Sequence, residues 1–397
     1  MTTRILVLGG GFAGLTAVDE LAAWKKSGVD LDIHLIDRSP CNIFAPLLPD
    51  LLSRRIRGRN VCYDLDAHCR ARGARFTHAG VESIDPAGKK VITDEGEFEA
   101  DFLLICLGCD TNYFGNEDAE CFSPGLKTVE EANTLRERTL EKSEAAHVLV
   151  VGGGYTGFET ASHLAYLLHT DRGIPYSRLW EESRVMILEV ADDVLANVGP
   201  PARAYAKRII KDFGVRIRTG VTVGTFRDRD TVTLTDGTTI EDAVVAWTAG
   251  VKPAPACREL DTRPELSGRI AVDRYLRVRG ANGVFAAGDV AGTRLPGKAG
   301  PLRLSVQFSI EGGRLAAQNV VAASGGRPLM PFVPYDPGYV LPLAPGKGSG
   351  IILGQQLEGL VPCALHYGMS IARSRGLRNQ VGLIRDLART LRQVPSS

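Results

Sequence analysis

Arg4-Ile5-Leu6-Val7-Leu8-Gly9-Gly10-Gly11-Phe12-Ala13-Gly14 decides the fold, because the chain repeats its plan at His147-Val148-Leu149-Val150-Val151-Gly152-Gly153-Gly154-Tyr155-Thr156-Gly157. Each copy leads from a short apolar strand through a glycine turn into apolar residues at helical spacing. These are Leu15, Val18, Leu21 and Ala22 in the first copy, and Phe158, Ala161, Leu164, Ala165 and Leu168 in the second. Each copy then meets another apolar strand that ends in an acid, Ile33 to Asp37 and Val185 to Glu189. Strand, helix and strand at these lengths predict a parallel α/β sheet. The expected class is α/β with two Rossmann-like units and a C-terminal segment carrying an amphipathic helix. A hairpin is expected in each half, around Glu95-Gly96 and around Asp236-Gly237.

The glycine spacing is G-x-G-x-x-G in both copies. Gly9 and Gly152 are expected to allow the tight turn, and Gly11 and Gly154 the approach of a pyrophosphate to the helix N-terminus. Gly14 and Gly157 are expected to let helix pack on strand. Asp37 and Glu189 would then take ribose hydroxyls. A carboxylate at Glu189 repels a 2′-phosphate, which predicts NADH over NADPH. One copy binding nothing is the competing reading; two copies with the same acid at the same place argue against it. Asn282-Gly283-Val284-Phe285-Ala286-Ala287-Gly288-Asp289 is a further short strand, expected to return to the first unit.

Composition sets bounds. The chain has 397 residues, 44% hydrophobic and 23% charged, enough for two or three domains of ordinary size. Its net charge of +1 gives no reason to expect nucleic acid as a partner. No run is long and apolar enough to predict a membrane span. The eight cysteines are expected to be reduced and mostly core residues, the Cys106-Leu107-Gly108-Cys109 pair a buried strand end rather than a dithiol. No metal site is expected.

The Gly288-Asp289 strand, with Leu107-Gly108 and Thr248-Ala249-Gly250-Val251-Lys252-Pro253 as crossover turns, resembles the two-dinucleotide-domain flavoprotein superfamily. Within it the chain is most similar to type II NADH dehydrogenases, the single-subunit NADH:quinone oxidoreductases, with the apoptosis-inducing-factor-like quinone reductases among them. Phe44-Ala45-Pro46-Leu47-Leu48-Pro49, Thr111-Asn112-Tyr113-Phe114-Gly115, Gly152 to Glu159 and Val306-Gln307 carry that likeness, over roughly residues 3–320. Two departures stand out: Glu311 where that family has a second glutamine, and no tryptophan after residue 330. The Gly346-Lys347-Gly348-Ser349-Gly350 stretch reads as a loop.

The resemblance implies FAD held by Gly9, Gly11, Phe12, Ala13, Gly14, Asp37, Arg38, Pro46, Val81, Gly108, Gly288 and Asp289, with the aspartate on the ribityl chain. It implies NAD(H) on Gly152, Gly154, Thr156, Gly157, Glu189 and Gly250. Glu159 is expected at the nicotinamide–flavin junction and Gln307 at a quinone carbonyl; the competing readings are a helix-start acid favoured by the macrodipole for Glu159 and a helix N-terminal polar residue for Gln307. The implied layout is a FAD-binding domain at 1–120 and 253–328, an inserted NAD(H)-binding domain at 121–252, and an acceptor or membrane-surface segment at 329–397. The implied activity passes hydride from NADH to flavin and electrons on to a quinone or other small acceptor. A ferredoxin- or rubredoxin-type reductase, a sulfide:quinone-type reductase and an NADH-responsive scaffold stay open as alternatives. A homodimer stays open too.

Residues 377–393 add a surface. On a helical wheel Leu377, Val381, Leu383, Ile384, Leu387, Ala388 and Leu391 fall between about 240° and 40°, and Arg378, Arg385, Arg389 and Arg392 between about 60° and 120°. A basic edge beside an apolar face suits anionic lipid. The expectation is a cytoplasmic protein, peripheral on the inner face of the cell membrane, against the alternative of a helix docked on its own domain or a second subunit.

Overall fold

A computed structural model describes residues 2–263, 266–294, 300–344 and 346–393, without the side chains of 391–393. The quoted stretch becomes the strand Thr3–Leu8 and the helix Phe12–Lys26, and its echo the strand His147–Val151 and the helix Tyr155–Arg172. The chain divides into two units. The first holds residues 1–42, 64–110 and 251–336, the second 43–63, 111–250 and 337–397.

The first unit is built on a five-stranded parallel sheet in the order Val284–Ala286, Phe102–Ile105, Thr3–Leu8, Leu31–Asp37, Arg75–His78. Ile5, Val7, Leu8, Ile33, Leu35, Leu103 and Leu104 are almost fully buried, as strands covered on both faces require. The strand Val284–Ala286 pairs with Phe102–Ile105, so the Gly288-Asp289 turn does rejoin the first unit. Helix Phe12–Lys26 packs on helix Val306–Ser324 closely enough that a Cβ at Gly313 would stand 2.1 Å from the Ala13 carbonyl oxygen. A three-stranded antiparallel meander, Val81–Asp85, Lys90–Thr93 and Gly96–Glu99, contains the expected hairpin.

The second unit repeats the plan with a four-stranded parallel sheet in the order Val215–Thr219, Val185–Glu189, His147–Val151, Ala243–Trp247. Its own meander, Val223–Asp228, Thr231–Leu234 and Thr239–Ile240, closes a core of Leu149, Val151, Met186, Leu188, Val232 and Trp247.

After residue 336 the structure departs from the sequence reading. Gly338–Leu343, Lys347–Ile352 and Gln355–Glu358 form an antiparallel sheet that belongs to the second unit, followed by helix Leu360–Arg373. The 346–350 stretch is therefore mostly strand, not loop. Its glycines are needed there: a Cβ at Gly350 would lie 2.2 Å from the Tyr339 carbonyl oxygen. Pro342 sits in the edge strand of the three, where a missing N–H costs little. The unit boundaries fall at 42/43, 63/64, 110/111, 250/251 and 336/337, and Pro46 falls within the second unit.

Candidate functional site

In the first unit the glycine turn is a cradle shaped by clearances. Gly9 has φ +100°, and a Cβ there would meet the Cys106 carbonyl oxygen at 2.4 Å. Gly14 would bring a Cβ to 1.8 Å from the Gly9 carbonyl oxygen, so this glycine clears the turn itself rather than a neighbouring strand. Gly11 has nothing within 4 Å of its Cβ position: that side of the turn is open. Asp37, ending the next strand, accepts the N–H groups of Gly10 at 2.5 Å and Ser39 at 2.7 Å. Burial pushes its carboxyl up and those two N–H groups draw it down. Val81 opens a meander strand, two residues beyond Ala79, whose N–H donates to the Asp37 carbonyl at 2.9 Å. Arg38 pairs with Asp110 at 2.5 Å.

The second unit copies this chemistry residue for residue. Gly152 has φ +108°, Gly157 would bring a Cβ to 1.9 Å from the Gly152 carbonyl oxygen, and Gly154 faces open space. Glu189 accepts the N–H groups of Gly153 at 2.7 Å and Ala191 at 2.9 Å. Thr156 is exposed in the first turn of the helix, and the Gly152 turn lies against Thr248 and Ala249 of the crossover that ends in Gly250.

Gly288 has φ +79°, which a left-handed position demands of glycine, and a Cβ there would come 3.0 Å from that of Ala13. Asp289 follows, its Oδ1 accepting Ser309 Oγ at 3.4 Å and its carbonyl accepting Cys109 Sγ at 3.3 Å. Phe12, Ala13 and Gly108 (φ +68°) complete the first unit's share of the expected flavin residues. These clearances fit FAD: glycines open on one side, a carboxylate at the strand end and another beyond Gly288. Sequence reasoning missed Arg269, which is buried and donates to the carbonyls of Leu266 and Leu302. Burial lowers its pKa, and the neighbouring Cys109 and Asp289 work the other way. Cys106 is buried and its thiol pushed up to about 12 by burial, which removes it as a nucleophile. Among the described residues no cluster of His, Cys, Asp and Glu could hold a metal ion.

Glu159 lies in the second unit, one turn into the helix Tyr155–Arg172. Burial raises its carboxyl well above the usual range and the negative charge of Asp50 raises it further. Around it stands a buried polar cluster that no motif announced. Tyr367 Oη donates to Asp50 Oδ1 at 2.8 Å, Arg55 Nη1 donates to Tyr367 Oη at 2.8 Å, and Ser53 Oγ bonds His163 Nδ1 at 2.7 Å. Burial, more than Arg55, holds His366 down at about 4, and its Nε2 finds no partner among the described residues. An acid inside the apolar run Leu47 to Leu52 was the one available signal. In the first unit Gln307 Nε2 donates to Glu311, whose other oxygen accepts the Tyr335 N–H at 3.1 Å.

This chain belongs to the pyridine nucleotide-disulphide oxidoreductase family, whose model matches residues 3–307, and within it to the type II NADH:quinone oxidoreductases. It is 31% identical to the type II NADH:quinone oxidoreductase Ndh of Mycobacterium tuberculosis, over 95% of this chain and 86% of that one. It is 25% identical to a type II NADH:quinone oxidoreductase of Staphylococcus haemolyticus, over 90% and 91%. The structure of Plasmodium falciparum NDH2 in complex with NADH has the same fold, with a TM-score of 0.83, 14% identity and 98% of each chain covered.

Proposed function

We propose that this chain is an FAD-dependent NADH:quinone oxidoreductase working at a membrane surface. The observation that carries the redox half is the duplication of one cradle, glycine turn plus strand-end acid, with Gly288-Asp289 added to the first copy alone. One unit is thus equipped for a flavin and the other for a nicotinamide dinucleotide. FAD, when bound, supplies the two-electron chemistry, and the protein orients it and excludes side reactions. Gly11 and the helix end behind it would receive the pyrophosphate, Asp37 the ribose, Asp289 the ribityl hydroxyls. On the other unit Gly154 and Thr156 receive the NADH pyrophosphate, Gly157 keeps the turn close to the helix, and Glu189 takes the adenine ribose. Glu159, its carboxyl raised by burial and by Asp50, serves the nicotinamide side. Gln307, whose side-chain amide donates to Glu311, is the residue that meets a quinone carbonyl.

The membrane half rests on the last two helices. No helix of the described residues is long and apolar enough to cross a membrane. Helix Leu377–Gln393 turns its polar side inward: Asp386, 2% exposed, accepts Asn60 Nδ2 at 2.6 Å and the Arg57 N–H at 3.0 Å, and Asn379 donates to the Cys62 carbonyl at 2.8 Å. Leu383 is buried beside them, which corrects its place on the expected outer face. Leu377, 76% exposed, and Ile384, 52% exposed, remain outside with Arg378, Arg385 and Arg389. Leu391 and Arg392 fall outside the described side chains. Helix Leu360–Arg373 adds Leu360, Val361, Leu365 and Met369 to the exposed apolar surface. A helix that buries its polar face and shows its apolar and basic ones suits an anionic lipid surface, on the inner face of the cell membrane.

Stopped-flow traces of the two half-reactions test the assignment. Glu159→Gln should alter flavin reduction by NADH, and Gln307→Ala should slow reoxidation by quinone while leaving reduction nearly untouched. Both changes falling in one half-reaction would count against it.

A further inference from the structure

We propose that Phe114 is a positioning residue for the nicotinamide half of NADH, its ring held out at the end of the strand Ala243–Trp247 to receive it. The inference rests on the reading that the second unit binds NADH. Ligands of open parallel sheets lie at the carboxyl ends of the strands. In this sheet those ends run in the order Glu189, the Gly152 turn, then Thr248-Ala249-Gly250. A dinucleotide with its adenine ribose at Glu189 and its pyrophosphate at the Gly152 turn therefore brings its nicotinamide half to Gly250. There the ring of Phe114 already lies, its Cζ 2.9 Å from the position a Gly250 Cβ would take.

The backbone supports this reading independently. Phe114 has φ 54°, in the left-handed region that a bulky side chain occupies only when its surroundings force it. Here they do. The Phe114 N–H donates to Asn112 Oδ1 at 2.9 Å, and Trp247 Nε1 donates to the Asn112 carbonyl at 2.9 Å. Tyr113 is buried, its hydroxyl donating to the Ser123 carbonyl at 2.9 Å and its ring 5.6 Å from that of Trp247. Yet Phe114 itself is 68% exposed. A strained turn pinned on both sides to hold an aromatic ring mostly in solvent gains little packing from that ring. An apolar planar surface for the nicotinamide riboside accounts for both the strain and the exposure.

The test uses full-length, FAD-loaded protein with Phe114→Tyr, Phe114→Ala and Phe114→Gly. Glycine accepts φ 54° without strain, so Phe114→Gly should melt no lower than wild type. In Phe114→Ala and Phe114→Gly the KM for NADH should rise about tenfold and kcat change less, while Phe114→Tyr stays within about twofold. Flavin reoxidation by quinone should be unchanged in all three. A KM for NADH within about twofold of wild type in Phe114→Ala and Phe114→Gly overturns the proposal. So does a fall in melting temperature of Phe114→Gly that parallels its KM, since the ring would then be packing. Wild-type flavin that NADH does not reduce would remove the NADH reading, and this proposal with it.

Discussion

Glu189 Oε2 accepts the N–H of Gly153 at 2.7 Å, so the strand-end acid and the middle glycine of the turn orient each other. Its second oxygen is fixed by the Ala191 N–H. The carboxylate is therefore aimed, not merely nearby, and it meets a 2′-phosphate with like charge. At such a half-exposed site the repulsion is worth about 1–2 kcal/mol. Glu189→Ala should reduce the NADH-over-NADPH ratio of kcat/KM about tenfold. Initial rates with both cofactors check this; a wild-type ratio at or below one contradicts the assignment.

The glycines separate into two kinds that behave differently on substitution. Gly14→Ala and Gly157→Ala place a methyl at 1.8 and 1.9 Å from a backbone oxygen, and should cost about 3 kcal/mol or more of stability. Gly11→Ala and Gly154→Ala meet nothing within 4 Å and should fold as wild type. They should nonetheless lose their dinucleotides, Gly11→Ala its FAD and Gly154→Ala its NADH, because the pyrophosphate needs that space. Thermal melts of FAD-free protein beside FAD content and NADH binding distinguish the two kinds.

Acid–base groups around Glu159 set a pH dependence with a defined sign. A carboxyl whose pKa is raised on folding contributes stability that is full below its ordinary value of 4.5 and is lost as pH rises through the raised value. Glu159→Gln should therefore gain on wild type in melting temperature as pH climbs above 4.5. His366 runs the other way. Depressed from 6.5 to about 4, it stabilises above 6.5 and loses that contribution as pH falls toward 4. His366→Gln should flatten this acid limb. Parallel pH curves for wild type and both variants would refute the assignment.

Full-length protein should sediment with anionic liposomes, less with neutral ones, and release partly at high salt. Each exposed arginine gains about 1 kcal/mol near an anionic surface, over a screening length of about 8 Å. Because Asp386, Asn379 and Leu383 tie the last helix to its own unit, its removal would expose residues 57–62. The cleaner test is Leu377→Glu with Ile384→Glu, which should abolish sedimentation while preserving NADH oxidation by a small soluble quinone. Retained sedimentation would place the lipid contact elsewhere.

Much of this was legible in the sequence because glycine turns and strand-end acids are local. Gly9 to Asp37 and Gly152 to Glu189 read directly as strand, turn, helix and strand, and Glu189 ends its strand where the pattern put it. What escaped was set by distance along the chain. Asp50, His163 and Tyr367 meet only after folding, and none carries a motif. The strand Lys347–Ile352 was hidden because its glycines, which read as a loop, are there for close contact with the strand before it. The last helix misled in one respect: the wheel grouped Leu383 with the outer apolar residues, but buried Asp386 and Asn379 draw that edge inward.

The most direct test of the central claim is anaerobic titration of the purified, FAD-loaded protein with NADH, followed by addition of a soluble quinone, read on the flavin absorbance. One equivalent of NADH should bleach the flavin, NADPH should do so far more slowly, and quinone should restore the oxidised spectrum. A flavin that NADH leaves oxidised, or that stays reduced when quinone is added, would contradict it.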